Sequence, residues 1–158
     1  FDHFYPIFSD PTGPCLEGWV TLTALAQATE RLRVGVLVTG IHYRHPAVLA
    51  NMAAALDIVS NGRLELGIGA GWNEEESGAY GIELGTVRER LDRFEEACQV
   101  LKGLLSQEST TFDGVFYQLK DARNEPKGPQ RPALWLGPAC SPWRRRPLFR
   151  PLRPCCWR

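Results

Sequence analysis

Residues 60–74 join a helix end, a short strand and a glycine-rich turn, and they restrict the possible folds of this chain more than any other segment. Asn61-Gly62 is a helix C-terminal signal. The apolar residues that then alternate, as in a strand, are Leu64, Leu66 and Ile68. Gly67, Gly69 and Gly71 remove side chains where the strand ends, which predicts clearance for a flat or anionic ligand.

Helix and strand patterns alternate along most of the chain. Helices are predicted over 16–32, over 46–59 and after the capping box of Thr86 and Glu89. Strands are predicted over 31–38, 64–69 and 133–136, and a hairpin over 110–117 turns on Asp113-Gly114. Because the helices are long enough to be crossovers, we expect an α/β fold with a parallel sheet. The patterns leave open whether this sheet is doubly wound or closed into a barrel.

The composition is that of an ordinary globular domain, with 44% hydrophobic and 23% charged residues in a chain of 158. Its longest apolar run, around 34–40, is far shorter than the roughly 20 residues that span a bilayer, so no membrane anchor is expected. The first residues include no secretory signal and no initiator Met, so we expect the sequence to begin within a longer protein. An odd number of Cys without such a signal predicts reduced thiols in the cytoplasm.

Residues 138–158 differ from the rest of the chain, with six Arg, no acidic residue and recurrent Pro. Such frequent proline disfavours a helix or a central strand, so we expect a disordered or non-native tail after a domain at 1–137. A lost reading frame after Gly137 would produce the same change. Arginines between Trp143 and Phe149 resemble nucleic-acid-binding segments, but such tails are more often solvated termini, and no nucleic-acid partner is expected.

An alternative function nevertheless follows from this tail, namely a non-catalytic remnant that binds a partner through its basic residues. Salt-sensitive binding that is lost when residues 138–158 are deleted would favour that alternative.

Common ligand motifs are incomplete or absent. A dinucleotide fingerprint needs a third glycine, but Trp72 stands there when the count begins at Gly67, and Glu74 stands there when it begins at Gly69. The phosphate-loop pattern with Lys followed by Ser or Thr does not occur. Cys155 and Cys156 are adjacent, and no Cys-x-x-Cys occurs, so no metal site is expected.

Three polar groups could carry chemistry. Asp2-His3 lies in an aromatic setting and would suit the holding and protonation of a heterocycle, although a structural His in a loop is the simpler interpretation. The acids at 74–76 could supply a catalytic acid or base, or they could complement a helix dipole in solvent. Residues 42–45 could contact an anion or cap the helix that begins at Pro46, and capping is favoured for His45.

Four motifs together resemble the bacterial luciferase-like monooxygenase family, particularly its oxidoreductases that depend on the deazaflavin coenzyme F420. The motifs are Asp2-His-Phe4, Arg44-His-Pro46, Ser60-Asn-Gly-Arg63 and Gly67-Ile-Gly-Ala-Gly-Trp72. The resemblance covers about 1–137 and includes the helix at 89–96 and the hairpin at 111–119.

The resemblance implies a (β/α)8 TIM barrel, a fold that needs about 250 residues. Residues 1–3 would end the second strand, and the third, fourth and fifth strands would be 33–39, 63–69 and 134–137. We therefore expect a partial barrel, roughly strands 2 to 5, with a hairpin insertion and an irregular C-terminal tail. Such a fragment would expose unpaired strand edges, and we expect weak or no cofactor binding and weak or no activity from this chain alone.

The same resemblance implies hydride transfer between a reduced cofactor and a small organic substrate. Coenzyme F420 is the preferred cofactor, FMN is the alternative, and the parent enzyme is expected to be a homo-oligomer. Catalytic roles fall to His3 with Asp2 and, as a weaker substitute, to Glu74, because some relatives have a catalytic Glu where this chain has Trp72. The residues matched to the cofactor are Asp2, Thr39, Gly40, Gly69, Ala70, Gly71, Trp72 and Asn73.

Overall fold

The computed structural model describes residues 1–130 and 134–136, and the predicted α/β class is confirmed. Its helices are α1 (Gly18–Gln27), α2 (Pro46–Val59), α3 (Glu74–Ala79) and α4 (Val87–Ser106). Its strands are β1 (Val34–Gly40), β2 (Leu64–Gly69), β3 (Thr110–Asp113), β4 (Gln118–Ala122) and β5 (Leu134–Leu136). The tail expected at 138–158 and the boundary at 137 lie outside the described residues. Within them, no helix is long and apolar enough to cross a membrane.

The main sheet of the described residues has three strands in the order β1-β2-β5, and both strand pairs are parallel. This confirms the parallel sheet and the short strand that the sequence predicts near 133–136. The pairing of β1 with β2 shifts between Val36 and Thr39, and the Leu37–Val38 peptide is cis. β1 begins at Val34, later than predicted, and includes Gly40 as its last residue.

Helices α1 and α2 pack against this sheet, α4 packs against α2, and their buried side chains form one core with those of the sheet. The largest fully buried apolar side chains of the described residues include Leu49, Leu64, Leu66, Ile68, Phe94 and Leu101. On β1, Val34 and Val36 are buried in this core, whereas Leu37 is 67% exposed. Because parallel sheets are usually covered on both faces, the exposure of Leu37 marks a part of the sheet that no described residue covers.

The first helix is shorter than predicted, because α1 ends at Gln27 and not near residue 32. The guanidinium of Arg63 explains this early end. It donates to the carbonyl oxygens of Ala26 at 2.6 Å and Leu32 at 2.7 Å, and to the hydroxyl of Thr29 at 3.3 Å. A distant side chain therefore satisfies the Ala26 carbonyl in the last turn of the helix and holds the chain that follows it.

Local signals place the other helix ends correctly. His45 is the N-cap of α2 and accepts from the Ala47 N–H at 3.1 Å, with Pro46 at the first helical position, as predicted. After α2, Asn61 and Gly62 have φ values of 52° and 76°, which confirms the predicted C-terminal signal. Thr86 and Glu89 form the predicted capping box of α4.

The predicted hairpin is present, but its predicted turn is wrong. Asp113 pairs with Gln118, so a four-residue loop replaces the two-residue turn at Asp113-Gly114. Glu96 of α4 explains the longer loop, because its carboxylate accepts from three successive backbone N–H groups. These belong to Val115, Phe116 and Tyr117, at 2.8, 2.9 and 3.1 Å.

Residues 1–3, expected to end a second barrel strand, form no strand in the structure. Side-chain hydrogen bonds hold this segment in place of the backbone hydrogen bonds of a strand pair. The Phe4 N–H donates to Glu76 at 2.7 Å, and the Gly40 N–H at the end of β1 donates to the Asp2 carboxylate at 3.1 Å. The segment therefore reaches the end of β1 by side-chain contacts and not by backbone pairing.

Candidate functional site

Three segments meet at the carboxyl ends of β1 and β2: residues 1–5, the loop after β1, and the turn that leads into α3. Their polar side chains form what we call the strand-end cluster, which consists of Asp2, His3, Tyr43, Arg44 and Glu76. In parallel sheets, ligands bind at this end of the strands, so the cluster lies where a functional site is expected.

The first half of the cluster is an ion pair between Asp2 and Arg44. Their two hydrogen bonds measure 2.7 and 2.9 Å, and the Gly40 N–H adds a third to Asp2. Asp2 is 6% exposed. Paired bonds between a guanidinium and a carboxylate are strong and directional, so Asp2 fixes the first residues of the chain to the end of β1. Both oxygens of Asp2 are engaged with these groups and not with His3.

The second half of the cluster is centred on Glu76, whose side chain is fully buried. Its carboxylate accepts from His3 Nδ1 and the Phe4 N–H at 2.7 Å each, and from the Tyr43 hydroxyl at 2.5 Å. The Glu76 N–H itself donates to Asn73, the N-cap of α3, at 3.1 Å. A buried carboxylate needs such donors, and Glu76 thereby joins all three segments.

Burial raises the pKa of the Glu76 carboxyl, but the hydrogen bonds from Tyr43, Phe4 and His3 outweigh burial and hold that pKa below its ordinary value. Tyr43 shifts in the opposite direction. Burial, the hydrogen bond to Glu76 and the nearby carboxylates raise the pKa of its hydroxyl far above its ordinary value. Glu76 is therefore an ionised acceptor at neutral pH, and Tyr43 is a permanent donor to it.

His42 lies behind the turn that follows β2. Both of its ring nitrogens are buried and have no hydrogen-bond partner among the described residues. Burial is the main reason that its pKa falls to about 4, so the ring is neutral at pH 7. A Cβ atom on Gly71 would lie 2.6 Å from its Nδ1, and one on Gly40 would lie 2.8 Å from its Cε1. These two glycines make room for the imidazole.

The glycines of β2 also accommodate a side chain of this protein. Cβ atoms on Gly67 and Gly69 would lie 2.9 and 2.8 Å from the methyl groups of Val38. The sequence predicted that Gly67, Gly69 and Gly71 give clearance to a ligand, but the structure fills much of that space with Val38 and His42.

The other residues matched to the cofactor lie together at the same strand ends. The Thr39 side chain is fully buried, and its hydroxyl has no partner among the described residues. Ala70 is buried, whereas Trp72 is 58% exposed and has its ring edge-on to His3, with centroids 5.8 Å apart. Asn73 caps α3 and donates to the Tyr5 hydroxyl at 3.1 Å.

Glu74, the weaker catalytic candidate, lies outside the cluster. Its side chain is 82% exposed and lies 3.8 Å from the guanidinium of Arg90. The structure places Glu76 in the cluster instead, although sequence reasoning had treated the acids at 74–76 as a group that is usually solvated. All three lie in the first turn of α3. Consecutive helical residues point about 100° apart, so one of them could face inward, but the sequence does not identify which.

His3 lines two cavities. The smaller, about 120 Å³, is also lined by Asp2, Phe4, Tyr43 and Arg44. The larger, about 470 Å³, runs beside α1 and the outer edge of β1, and most of its lining is apolar. Residues 69–73, which were matched to the cofactor, line neither cavity.

Among the described residues, no group of three or more His, Cys, Asp or Glu side chains could hold a metal ion.

The chain matches the sequence profile of one protein family. The sequence profile described as luciferase-like monooxygenase matches residues 2–146, which extends past residue 137, where the resemblance was expected to end.

Two curated relatives are F420-dependent glucose-6-phosphate dehydrogenases. The protein of Kineococcus radiotolerans is 38% identical over 123 residues, covering 77% of this chain and 36% of that protein. The protein of Amycolatopsis mediterranei is 32% identical over 124 residues, covering 77% and 37%. The chain therefore spans less than two fifths of the length of these relatives.

A solved structure adds a likeness of fold. An F420-dependent secondary alcohol dehydrogenase, in complex with an F420-acetone adduct, superposes with a TM-score of 0.76 at 27% sequence identity. The superposition covers 85% of this chain and 41% of the dehydrogenase.

Proposed function

Because this chain belongs to the luciferase-like monooxygenase family, we propose that it forms part of an oxidoreductase that uses coenzyme F420 to oxidise or reduce a small organic substrate. Three features support the proposal: the named activities of its relatives, the strand-end cluster, and the position of that cluster at the ends of parallel strands. FMN remains the alternative cofactor.

We also propose that the described sheet is one part of a (β/α)8 barrel. In such a barrel, neighbouring parallel strands follow each other in sequence, with helices on the outside. The order β1-β2-β5, with α2 between the first two strands and α4 before the third, agrees with that pattern. The three strands would correspond to the third, fourth and fifth of the barrel.

We propose that a large planar cofactor with polar edges lies against the residues at the strand ends. The buried Thr39 hydroxyl without a partner supports this fit most directly, because an unpaired buried hydroxyl is costly unless a ligand or water completes it. Thr39, Gly40 and the turn at 69–73 would hold the cofactor, and the exposed face of Trp72 would offer it a stacking surface. Coenzyme F420, when bound, would supply the hydride chemistry.

In this proposal, His3 handles the proton of the substrate. Its ring lines both cavities, and it lies beside the Asp2 carboxylate that anchors the segment. Asp2 would hold that segment in place through Arg44 and the Gly40 N–H. Glu74 stays the weaker candidate, because its side chain is 82% exposed and lies outside the strand-end cluster.

A titration of the chain with F420 and with FMN, followed by absorbance and fluorescence, tests the proposed cofactor. We expect weak binding from a chain that spans only part of its relatives, so the deciding quantity is the ratio of the two affinities. F420 should bind severalfold more tightly than FMN. A preference for FMN would overturn the proposal for F420.

Two variants show whether binding occurs at the strand ends. Thr39→Val removes a hydroxyl that has no partner in the described structure, so it should weaken F420 binding severalfold without loss of stability. Ser77→Ala is the matched control, since the Ser77 hydroxyl is also buried and unpaired but lies on α3. Equal effects of the two variants would place the cofactor elsewhere.

A further inference from the structure

The contact between His3 and Glu76 fixes where His3 carries its proton. A neutral imidazole has one N–H, on either Nδ1 or Nε2, and the partner of each nitrogen decides which form is stable. In this structure, Nδ1 is the nitrogen that contacts Glu76, at 2.7 Å. The tautomer of His3 therefore follows from what Glu76 can accept or donate.

Glu76 can only accept. An ionised carboxylate has no proton to donate, and its other two partners are donors as well. The Phe4 N–H is a backbone donor that cannot reverse its role, and it contacts Oε1. The Tyr43 hydroxyl contacts Oε2, the same oxygen that His3 contacts. A neutral His3 can therefore keep its bond to Glu76 only as a donor through Nδ1.

We propose that Glu76 is a positioning residue that holds the proton of neutral His3 on Nδ1 and leaves the lone pair of Nε2 for the substrate. This inference rests on the proposed function, in which His3 handles the substrate proton. In the oxidation of a substrate hydroxyl, Nε2 would take the proton as the O–H bond breaks, and bound F420 would supply the acceptor for the hydride that carries two electrons from carbon. The imidazolium that results lies against the Glu76 carboxylate, which stabilises its charge.

The substitution Glu76→Gln should reverse the tautomer. An amide has one oxygen and one NH₂ group in place of two oxygens. Because the Phe4 N–H can only donate, the amide oxygen should turn toward it, which places the NH₂ group where Oε2 contacts His3. That NH₂ group would donate to Nδ1 and force the proton onto Nε2. The side chain keeps nearly the same shape, so the change isolates the position of one proton.

Long-range ¹H–¹⁵N correlation spectra of the ¹⁵N-labelled chain show directly which ring nitrogen of His3 carries the proton, because protonated and unprotonated ring nitrogens resonate far apart. The wild-type chain should show neutral His3 with its proton on Nδ1. The Glu76→Gln variant should show it on Nε2, with the signals of His42 and His45 unchanged. A His3→Gln variant assigns the signals.

A matched variant separates this role from general disturbance of the site. Tyr43→Phe removes another donor to Glu76 but leaves the His3 contact, so the proton of His3 should stay on Nδ1. A wild-type spectrum with the proton on Nε2 would overturn the proposal. So would a folded Glu76→Gln variant with an unchanged tautomer. If Glu76→Gln does not fold, the wild-type and Tyr43→Phe spectra still decide.

Turnover measurements then test the proposed function separately. If the chain oxidises an alcohol with F420, Glu76→Gln should lower kcat by at least tenfold and change KM little, because the variant binds substrate but presents a protonated Nε2. If the spectra agree but the chain binds FMN more tightly than F420, the proposed cofactor chemistry fails while the assigned proton position stands.

Discussion

Gly71 and His42 share a small volume behind the turn that follows β2, and this crowding leads to a testable prediction. Gly71 has a φ of 85°, and a Cβ there would lie 2.6 Å from His42 Nδ1. Gly81 also has a positive φ, 65°, but nothing lies within 4 Å of its Cβ position. Gly81→Ala should therefore cost only the backbone strain, about 1–2 kcal/mol. Gly71→Ala should cost about 1–3 kcal/mol more, because it also overpacks the site.

Urea denaturation of both variants measures this difference. Combining Gly71→Ala with His42→Ala should recover the part of the lost unfolding free energy that comes from overpacking, since the shared space is then free. Equal losses for Gly71→Ala and Gly81→Ala would show that the imidazole moves away at little cost.

The lowered pKa of His42 predicts a pH dependence of stability. Burial holds its pKa at about 4 in the folded chain, against 6.5 as the ordinary value, so between these pH values the unfolded chain binds more protons. The contribution of neutral His42 to the free energy of unfolding should therefore be fully present above about pH 6.5. It should be lost progressively as the pH falls toward 4.

Comparison of the wild type with His42→Phe isolates this effect from the carboxylates that also titrate in acid. The urea midpoint of the wild type should fall more steeply between pH 6.5 and 4 than that of the variant. His45→Asn is the control, because His45 is an exposed N-cap that Asn can replace, and it should keep the wild-type slope. Parallel profiles for wild type and His42→Phe would contradict the prediction.

At the scale of the elements, Arg63 ties the end of α1 to the start of β2. Its guanidinium donates to the carbonyls of Ser60 and Ala26, both at 2.6 Å, and of Leu32 at 2.7 Å. Arg63→Lys keeps the charge but loses the planar fork. We expect it to lower the free energy of unfolding by about 1.5–3 kcal/mol, the range for hydrogen bonds to a charged group. Amide hydrogen exchange at 28–33 should become faster at the same time.

Arg88→Lys is the control for that substitution, because the Arg88 side chain is 93% exposed and its partner Asp92 is 3.8 Å away. It should change the unfolding free energy by less than about 0.5 kcal/mol. An effect of Arg63→Lys no larger than this would remove Arg63 as the reason for the early end of α1.

The sequence predicts those features of the elements that depend on neighbouring residues. His45, Pro46 and the Asn61-Gly62 pair act within one turn of chain, and each was located from its local pattern. Arg63 and Glu96 act on backbone groups many residues away, so nothing near them in the sequence reveals their partners. The end of α1 and the turn of the hairpin were therefore predicted wrongly.

In the candidate site, too, features that depend on distant contacts were not predicted from the sequence. Asp2 and His3 were singled out from the residues themselves, the family resemblance gave them catalytic roles, and the structure brings them to the strand ends. Glu76 was not singled out, because its burial depends on contacts with His3 and Tyr43, which are 73 and 33 residues away in the chain. The barrel itself also came from the resemblance, since the alternation of elements fits an open sheet equally well.

At the scale of the whole molecule, the exposed part of the sheet predicts self-association. Leu37 lies on β1 and is 67% exposed, and β1 pairs on only one side among the described residues. Unpaired strand edges with apolar side chains favour association, and an added Lys opposes it. We expect the wild-type chain to associate as its concentration rises, and Leu37→Lys to reduce that association.

Sedimentation velocity over a range of concentrations measures this. Leu32→Lys is the matched control, because Leu32 is 63% exposed but lies outside the strands, and it should leave the association unchanged. A wild-type chain that stays monomeric at all concentrations would contradict the prediction, as would equal effects of the two substitutions.

The anchoring of residues 1–5 by side chains also bears on how such sites diversify. His3 takes its position from the contacts of Asp2, Phe4 and its own ring with the ends of β1 and α3, and not from the register of a strand. The loop from Pro6 to Leu16 lies between these anchors and α1, and it contributes much of the lining of the larger cavity. This loop can therefore vary in length and sequence while the His3 ring keeps its position at the strand ends.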